Sequence, residues 1–167
     1  MSNTQRLQRL TFAALFAALV AALTCFARLP FPMTNGGVIH LGDGAIYVAA
    51  CLLPAPYAVA VGAIGAGFAD WQLGAAAWIP ATIALKACMA LVFSAKPPKL
   101  LCARNVWALL PASLINVAGY FLYESLVFGG WAAWLTVLGN AVQSLVSAGL
   151  FLALAATLDR LRIKRGL

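Results

Sequence analysis

His40 and Asp43 stand three residues apart in the stretch GGVIHLGDG; they are the only histidine and one of only four carboxylates in the chain. An imidazole and an acid at that spacing suit proton transfer, or a helix entrance where Asp43 accepts from free amides and favours the dipole. The capping role accounts for Asp43 and leaves His40 without one. Lys86, after PATIAL, falls about one-third to halfway through an apolar run. A cation at that depth costs roughly 2.5–3.5 kcal/mol on insertion scales unless it is paired, hydrated or snorkelled. Asp70 is the nearest carboxylate along the chain, so a structural ion pair of Asp70 with Lys86 is expected, with Asp43 and Glu124 as competitors.

Two polar stripes follow. Asn116, Tyr120 and Glu124 are spaced i, i+4, i+8, with Tyr123 adjacent, and Asn140, Gln143, Ser144 and Ser147 share one helical face. Such stripes either hydrogen-bond neighbouring helices or line a pocket. Catalysis would require His40, Asp43, Asp70 and Glu124 to converge on a reacting centre. No HExxH, GxSxG or Walker loop occurs, and no second histidine could complete a metal site, so no catalytic residue, metal or cofactor is expected. Cys25, Cys51, Cys88 and Cys102 are isolated and read as small apolar fillers.

The elements that must position these residues are membrane helices. Of the residues, 64% are apolar and 9% charged, with a mean hydropathy of +0.95. At about 20 apolar residues per span, the chain has room for roughly five to six spans. The pattern predicts one all-α integral membrane domain over 1–167. It is a six-transmembrane-helix bundle with tails at 1–9 and 159–167. The expected spans run from about Leu10 to Ala27, from HLGD to LPAPY, from Tyr57 to Asp70, from Trp78–Pro80 to AKPPK, from about Val106 to Leu126, and from about Ala132 to Leu158.

With six spans, Arg6, Arg9, Lys96, Lys99, Arg104, Arg160, Arg162, Lys164 and Arg165 all fall on one face, which the positive-inside rule makes cytoplasmic, with both termini. The net charge of +7 then reflects topology beside anionic lipid and requires no nucleic acid. Asp43, Asp70, Glu124, His40, Trp71, Trp78, Trp131 and Trp134 gather at the outer side. An outward cavity is therefore expected, lined by Asn116, Tyr120, Glu124, Asn140 and Gln143 and covered by the His40 loop, with Tyr120 or Trp134 stacking on a planar ring. Span one carries two alanine ladders, Ala14-Ala18-Ala22 and Ala13-Ala17-Ala21. Either could pack inside the bundle or dock a separate membrane subunit.

The alanine-ladder first helix, GGVIHLGDGAIYVAACLLP, GAIGAGFADW and IPATIALKACMALV together resemble the substrate-specific S components of energy-coupling factor (ECF) vitamin transporters, nearest the group for riboflavin-like, hydroxymethylpyrimidine and vitamin B6 ligands. The resemblance implies a multi-pass subunit of a bacterial-type plasma membrane, without enzymatic activity. It would capture a vitamin-like small molecule outside, dock on an ECF transmembrane coupling subunit driven by two cytoplasmic ATPases, and topple to release its cargo. The docking face maps to Ala14, Ala18 and Ala22, or to the parallel ladder. The gate loop maps to Pro30–Asp43, with Asn35, His40 and Asp43 on it. The ligand-contacting helices are the last three. With the two polar stripes, Lys86 and the outer aromatics, the expected substrate-binding set is His40, Lys86, Asn116, Tyr120, Glu124, Trp134, Asn140 and Gln143. Ring size and hydrogen-bonding groups favour vitamin B6 or hydroxymethylpyrimidine, with riboflavin as the alternative. Outside the resemblance, a small intramembrane enzyme or a structural assembly protein remains open.

Overall fold

The structure, a computed structural model, describes residues 3–30 and 38–166. Helix α1 (Asn3–Phe26) leads into a short antiparallel ribbon, β1 (Arg28–Pro30) and β2 (Val38–His40), in which Arg28 faces His40. Helices α2 (Gly42–Leu52), α3 (Ala55–Gln72) and α4 (Ile79–Leu91) follow, with a 3-10 turn at Ala76–Trp78 before α4. After α5 (Ala103–Trp107) come α6 (Leu109–Val127), α7 (Gly130–Arg160) and a final 3-10 turn at Ile163–Gly166. The ribbon is an addition to the all-helical expectation. It stands where His40 and its neighbours were read as loop.

Proline and glycine set the punctuation. Pro56 and Pro80 occupy first-turn positions of α3 and α4, where a missing N–H costs no helical hydrogen bond. Gly129, at φ 92, turns the chain between α6 and α7 in a conformation that side chains disfavour. At Gly62 an added Cβ would stand 2.9 Å from the Lys86 carbonyl oxygen, so this glycine lets α3 lie directly on α4 beside the lysine.

Helix α2 is the hub, touching α1, α3, α4 and α7, and every residue from Gly42 to Cys51 is buried. Its 11 residues reach only about 16 Å at 1.5 Å per residue, roughly half the hydrocarbon thickness. A helix enclosed on all sides by its neighbours needs no lipid contact of its own. Among the described residues three helical stretches are long and apolar enough to cross a membrane, Asn3–Phe26, Ala103–Val127 and Ala133–Arg160; Gly42–Leu52 and Ala76–Leu91 are shorter apolar helices. Tyr47, Phe93 and Phe151 form an aromatic core joining α2, the end of α4 and α7, with Tyr47 and Phe93 stacked at 4.7 Å.

Beneath that core, polar side chains tie the loops down. Asp159 accepts from the backbone N–H groups of Leu100 and Leu101 at 2.8 and 2.9 Å, and Lys164 donates to the Cys51 carbonyl at 2.6 Å. The residues after α7, read from the sequence as a tail, therefore fold back onto the end of α2.

The two alanine ladders have different fates. Ala13 and Ala21 are buried, and a Cβ at Gly65 of α3 would stand 2.7 Å from the Ala17 carbonyl, so this ladder is the seam between α1 and α3. Ala14, Ala18 and Ala22 are exposed. They line an apolar groove of about 1000 Å³ that also runs along α3 past Tyr57, Ile64 and Phe68.

Candidate functional site

Helices α4 and α6 face each other through three hydrogen-bonded rungs. Where the chain enters α4, Trp78 Nε1 donates to Glu124 at 3.1 Å. One turn deeper the hydroxyls of Thr82 and Tyr120 meet at 2.8 Å. One turn deeper again, Lys86 Nζ donates to Asn116 Oδ1 at 2.9 Å. The pairing is antiparallel, i, i+4, i+8 against i, i−4, i−8, as two helices with facing stripes require. Of these six residues, Lys86, Asn116, Tyr120 and Glu124 are ones the sequence assigns to the site. Thr82 was missed, and Trp78 was seen only as an outer tryptophan. Their spacing from Lys86 matches the stripe on α6, and that was the available signal.

The deepest rung carries the charge. Lys86 Nζ lies 2.9 Å from both carboxylate oxygens of Asp43, and both side chains are almost fully buried. The expected pair of Asp70 with Lys86 is thereby corrected. Asp43 is the partner because α2 runs through the middle of the bundle and brings its first turn to the lysine. Asp70 Oδ2 is buried without a hydrogen-bond partner. The Lys86 ammonium also lies 5.3 Å from the centre of the Tyr120 ring, a cation–π contact.

Helix α7 closes the third side. Asn116 Nδ2 donates to Ser144 Oγ at 3.2 Å and to the Asn140 carbonyl at 3.3 Å. Asn140 thus joins through its main chain, a contact that no side-chain pattern announces. Thr136 donates to Glu124, and Tyr123 donates to the Ala77 carbonyl. Trp134 does not join the cluster: it is 64% exposed and packs edge-to-face on Phe121. Nine residues separate it from Gln143, half a revolution of the helix, so it points away when Gln143 points in.

Gln143 clamps the ribbon. Its carbonyl accepts from the His40 N–H at 2.7 Å, and its amide donates to the His40 carbonyl at 2.8 Å and to Asp43 at 3.2 Å. His40 Nδ1 accepts from the Gly42 N–H at 3.3 Å, which assigns the neutral ring proton to Nε2. Burial lowers the His40 pKa to about 4; Asp43 opposes that shift, and Lys86 and Arg28 add to it. Of the proposed gate residues, His40 and Asp43 are therefore joined to the cluster through Gln143, and Asn35 lies outside the described residues. Among the described residues no group of three or more His, Cys, Asp or Glu side chains could hold a metal ion.

The arrangement is a buried, hydrogen-bonded polar column walled by Trp78 and Tyr120 and closed at one side by a clamped ribbon. It offers acceptors, donors and ring faces, which suits binding of a small polar molecule. Among known proteins, a family model described as ECF-type riboflavin transporter, S component, matches residues 4–160. No curated protein matches the chain.

Proposed function

The chain belongs to the S-component family of ECF-type riboflavin transporters, membrane-embedded transport subunits rather than enzymes, and from that premise we propose that it captures a small planar vitamin or vitamin precursor at the outer side of a bacterial plasma membrane. The observation that carries the reading is the three-rung column between α4 and α6, held shut by Gln143 on the His40 ribbon. His40, Lys86, Asn116, Tyr120, Glu124, Asn140 and Gln143 act as the binding residues. Asp43 holds Lys86 in place. The helices make six passes, with α2 as a short enclosed one and α5–α6 as a single one, and both termini are cytoplasmic. Riboflavin, which the family description names, and the smaller vitamin B6 and hydroxymethylpyrimidine rings are the ligands to test.

Delivery inward requires partners, since the chain carries no Walker loop. The exposed ladder Ala14-Ala18-Ala22 and its groove support docking of an ECF transmembrane coupling subunit, itself driven by two cytoplasmic ATPases. Extraction of the purified protein, with native mass spectrometry of whatever co-purifies, tests the capture reading. A bound heterocycle is the expected result. An empty protein that gives no calorimetric response to riboflavin, pyridoxine or hydroxymethylpyrimidine would refute it.

A further inference from the structure

We propose that the site takes a ligand bearing a positive charge or a protonatable nitrogen at its outer end, and that the Glu124 carboxylate receives it. The inference rests on the capture reading and adds the charge class of the ligand. In the outer half the ionisable side chains are Arg28, His40, Asp43, Asp70, Lys86, Tyr120, Tyr123 and Glu124, and residues 31–37 add no charged group. The charge of Lys86 is already matched, since both oxygens of Asp43 lie 2.9 Å away. Arg28 sits on the ribbon opposite His40. Glu124 is 6% exposed, and the donors that reach it, Trp78 Nε1 at 3.1 Å and the Thr136 hydroxyl, are both neutral. Lys86 meets α6 at Asn116, eight residues and about 12 Å along the helix from Glu124.

Among the described residues Glu124 is thus a buried carboxylate without a matched cation, an arrangement that low dielectric penalises until an opposite charge arrives. Two independent features point to what arrives. Trp78, which bonds Glu124, also stacks on Phe128 at 4.8 Å, so an aromatic surface flanks the carboxylate where a cation would gain from the ring face. The second acid, Asp70, has an oxygen buried without a donor. An ammonium or a protonated ring nitrogen supplies donors and charge together. A phosphate brings a second anion to the end of the site where the unmatched charge is negative.

Matched pairs of probes test this on the full chain in lipid nanodiscs at neutral pH. Pyridoxamine against pyridoxine, and aminomethylpyrimidine against hydroxymethylpyrimidine, exchange a hydroxyl for an ammonium on one ring. In at least one pair the ammonium member should bind at least tenfold tighter by calorimetry, and pyridoxal phosphate should bind more weakly than pyridoxine. Glu124→Gln should abolish the preference, and Glu124→Asp should retain part of it. Since the comparison of probes is made first on the unmodified protein, a failure of Glu124→Gln to fold leaves the test intact. Equal affinity within both pairs, or tight riboflavin binding unchanged in Glu124→Gln, would overturn the charge inference while capture stands. Silence from every probe, riboflavin included, would overturn both.

Discussion

Asp43 and Lys86, 43 positions apart in the chain, meet at 2.9 Å through both carboxylate oxygens. The contact joins α2, the enclosed hub, to α4, and Gln143 and Asn116 extend it to α7 and α6. One buried pair thus holds four helices in register around the proposed site.

Removal of one partner leaves an uncompensated charge. Lys86→Met is expected to destabilise the detergent-solubilised protein by about 3–5 kcal/mol, the usual consequence of breaking a buried pair. Lys86→Met with Asp43→Asn should recover most of that loss, and Lys86→Met with Asp70→Asn should not. Thermal unfolding of these three variants with the single changes Asp43→Asn and Asp70→Asn closes the two double-mutant cycles; rescue by Asp70→Asn in place of Asp43→Asn would refute the pairing.

Gln143→Ala deletes the contacts to both main-chain groups of His40 and to Asp43. The ribbon should then open more readily. Ligand dissociation is expected to quicken by about tenfold, the equivalent of about 1.4 kcal/mol, with association little changed. Stopped-flow measurement of both rates checks this, and an effect confined to association would argue against a clamp.

Acid should loosen the same closure. His40 is held neutral in the fold, with its pKa lowered to about 4 from 6.5, so between those values the unfolded chain binds more protons than the folded one. Its contribution to stability is present in full above pH 6.5 and declines as pH falls toward about 4. In addition, a protonated Nδ1 can no longer accept from Gly42. Unfolding midpoints across this window should therefore fall with acidity, and His40→Gln should flatten the profile there. An equally steep profile in His40→Gln would assign the titration to another group.

Ala18→Trp places a large ring on the exposed face of α1, in the groove that α3 also lines. Assembly with the coupling subunit should be lost while ligand affinity of the solitary protein is retained. Ala17→Trp should instead disturb the bundle itself, since the Ala17 main chain packs on Gly65. Co-purification and calorimetry on both variants separate docking from folding.

Much of the polar cluster proposed as the site was legible because helical periodicity is local. The spacing of Asn116, Tyr120 and Glu124 places them on one face whatever that face meets, and the cost of a cation in lipid requires a partner for Lys86. The same periodicity would have included Thr82 and Trp78 had the stripe of Lys86 been continued outward. Trp134 is expected at the cluster by depth alone, and depth does not say which way a helix is turned; the structure leaves it exposed and packed on Phe121.

The amino-acid sequence by itself determined the membrane class, the polar stripes and the need to neutralise Lys86, since each depends on composition or on neighbours within one helix. Tertiary structure alone decided that Asp43 rather than Asp70 is the partner, that Ala13-Ala17-Ala21 is the internal seam while Ala14-Ala18-Ala22 stays exposed, and that Asn140 contributes a carbonyl. The physical reason is that a helix's period fixes which residues share a face but not which helix that face meets. That choice follows from how closely backbones approach, here through Gly62 against α4 and Gly65 against α1, and from the short buried α2 that carries Asp43 into the centre.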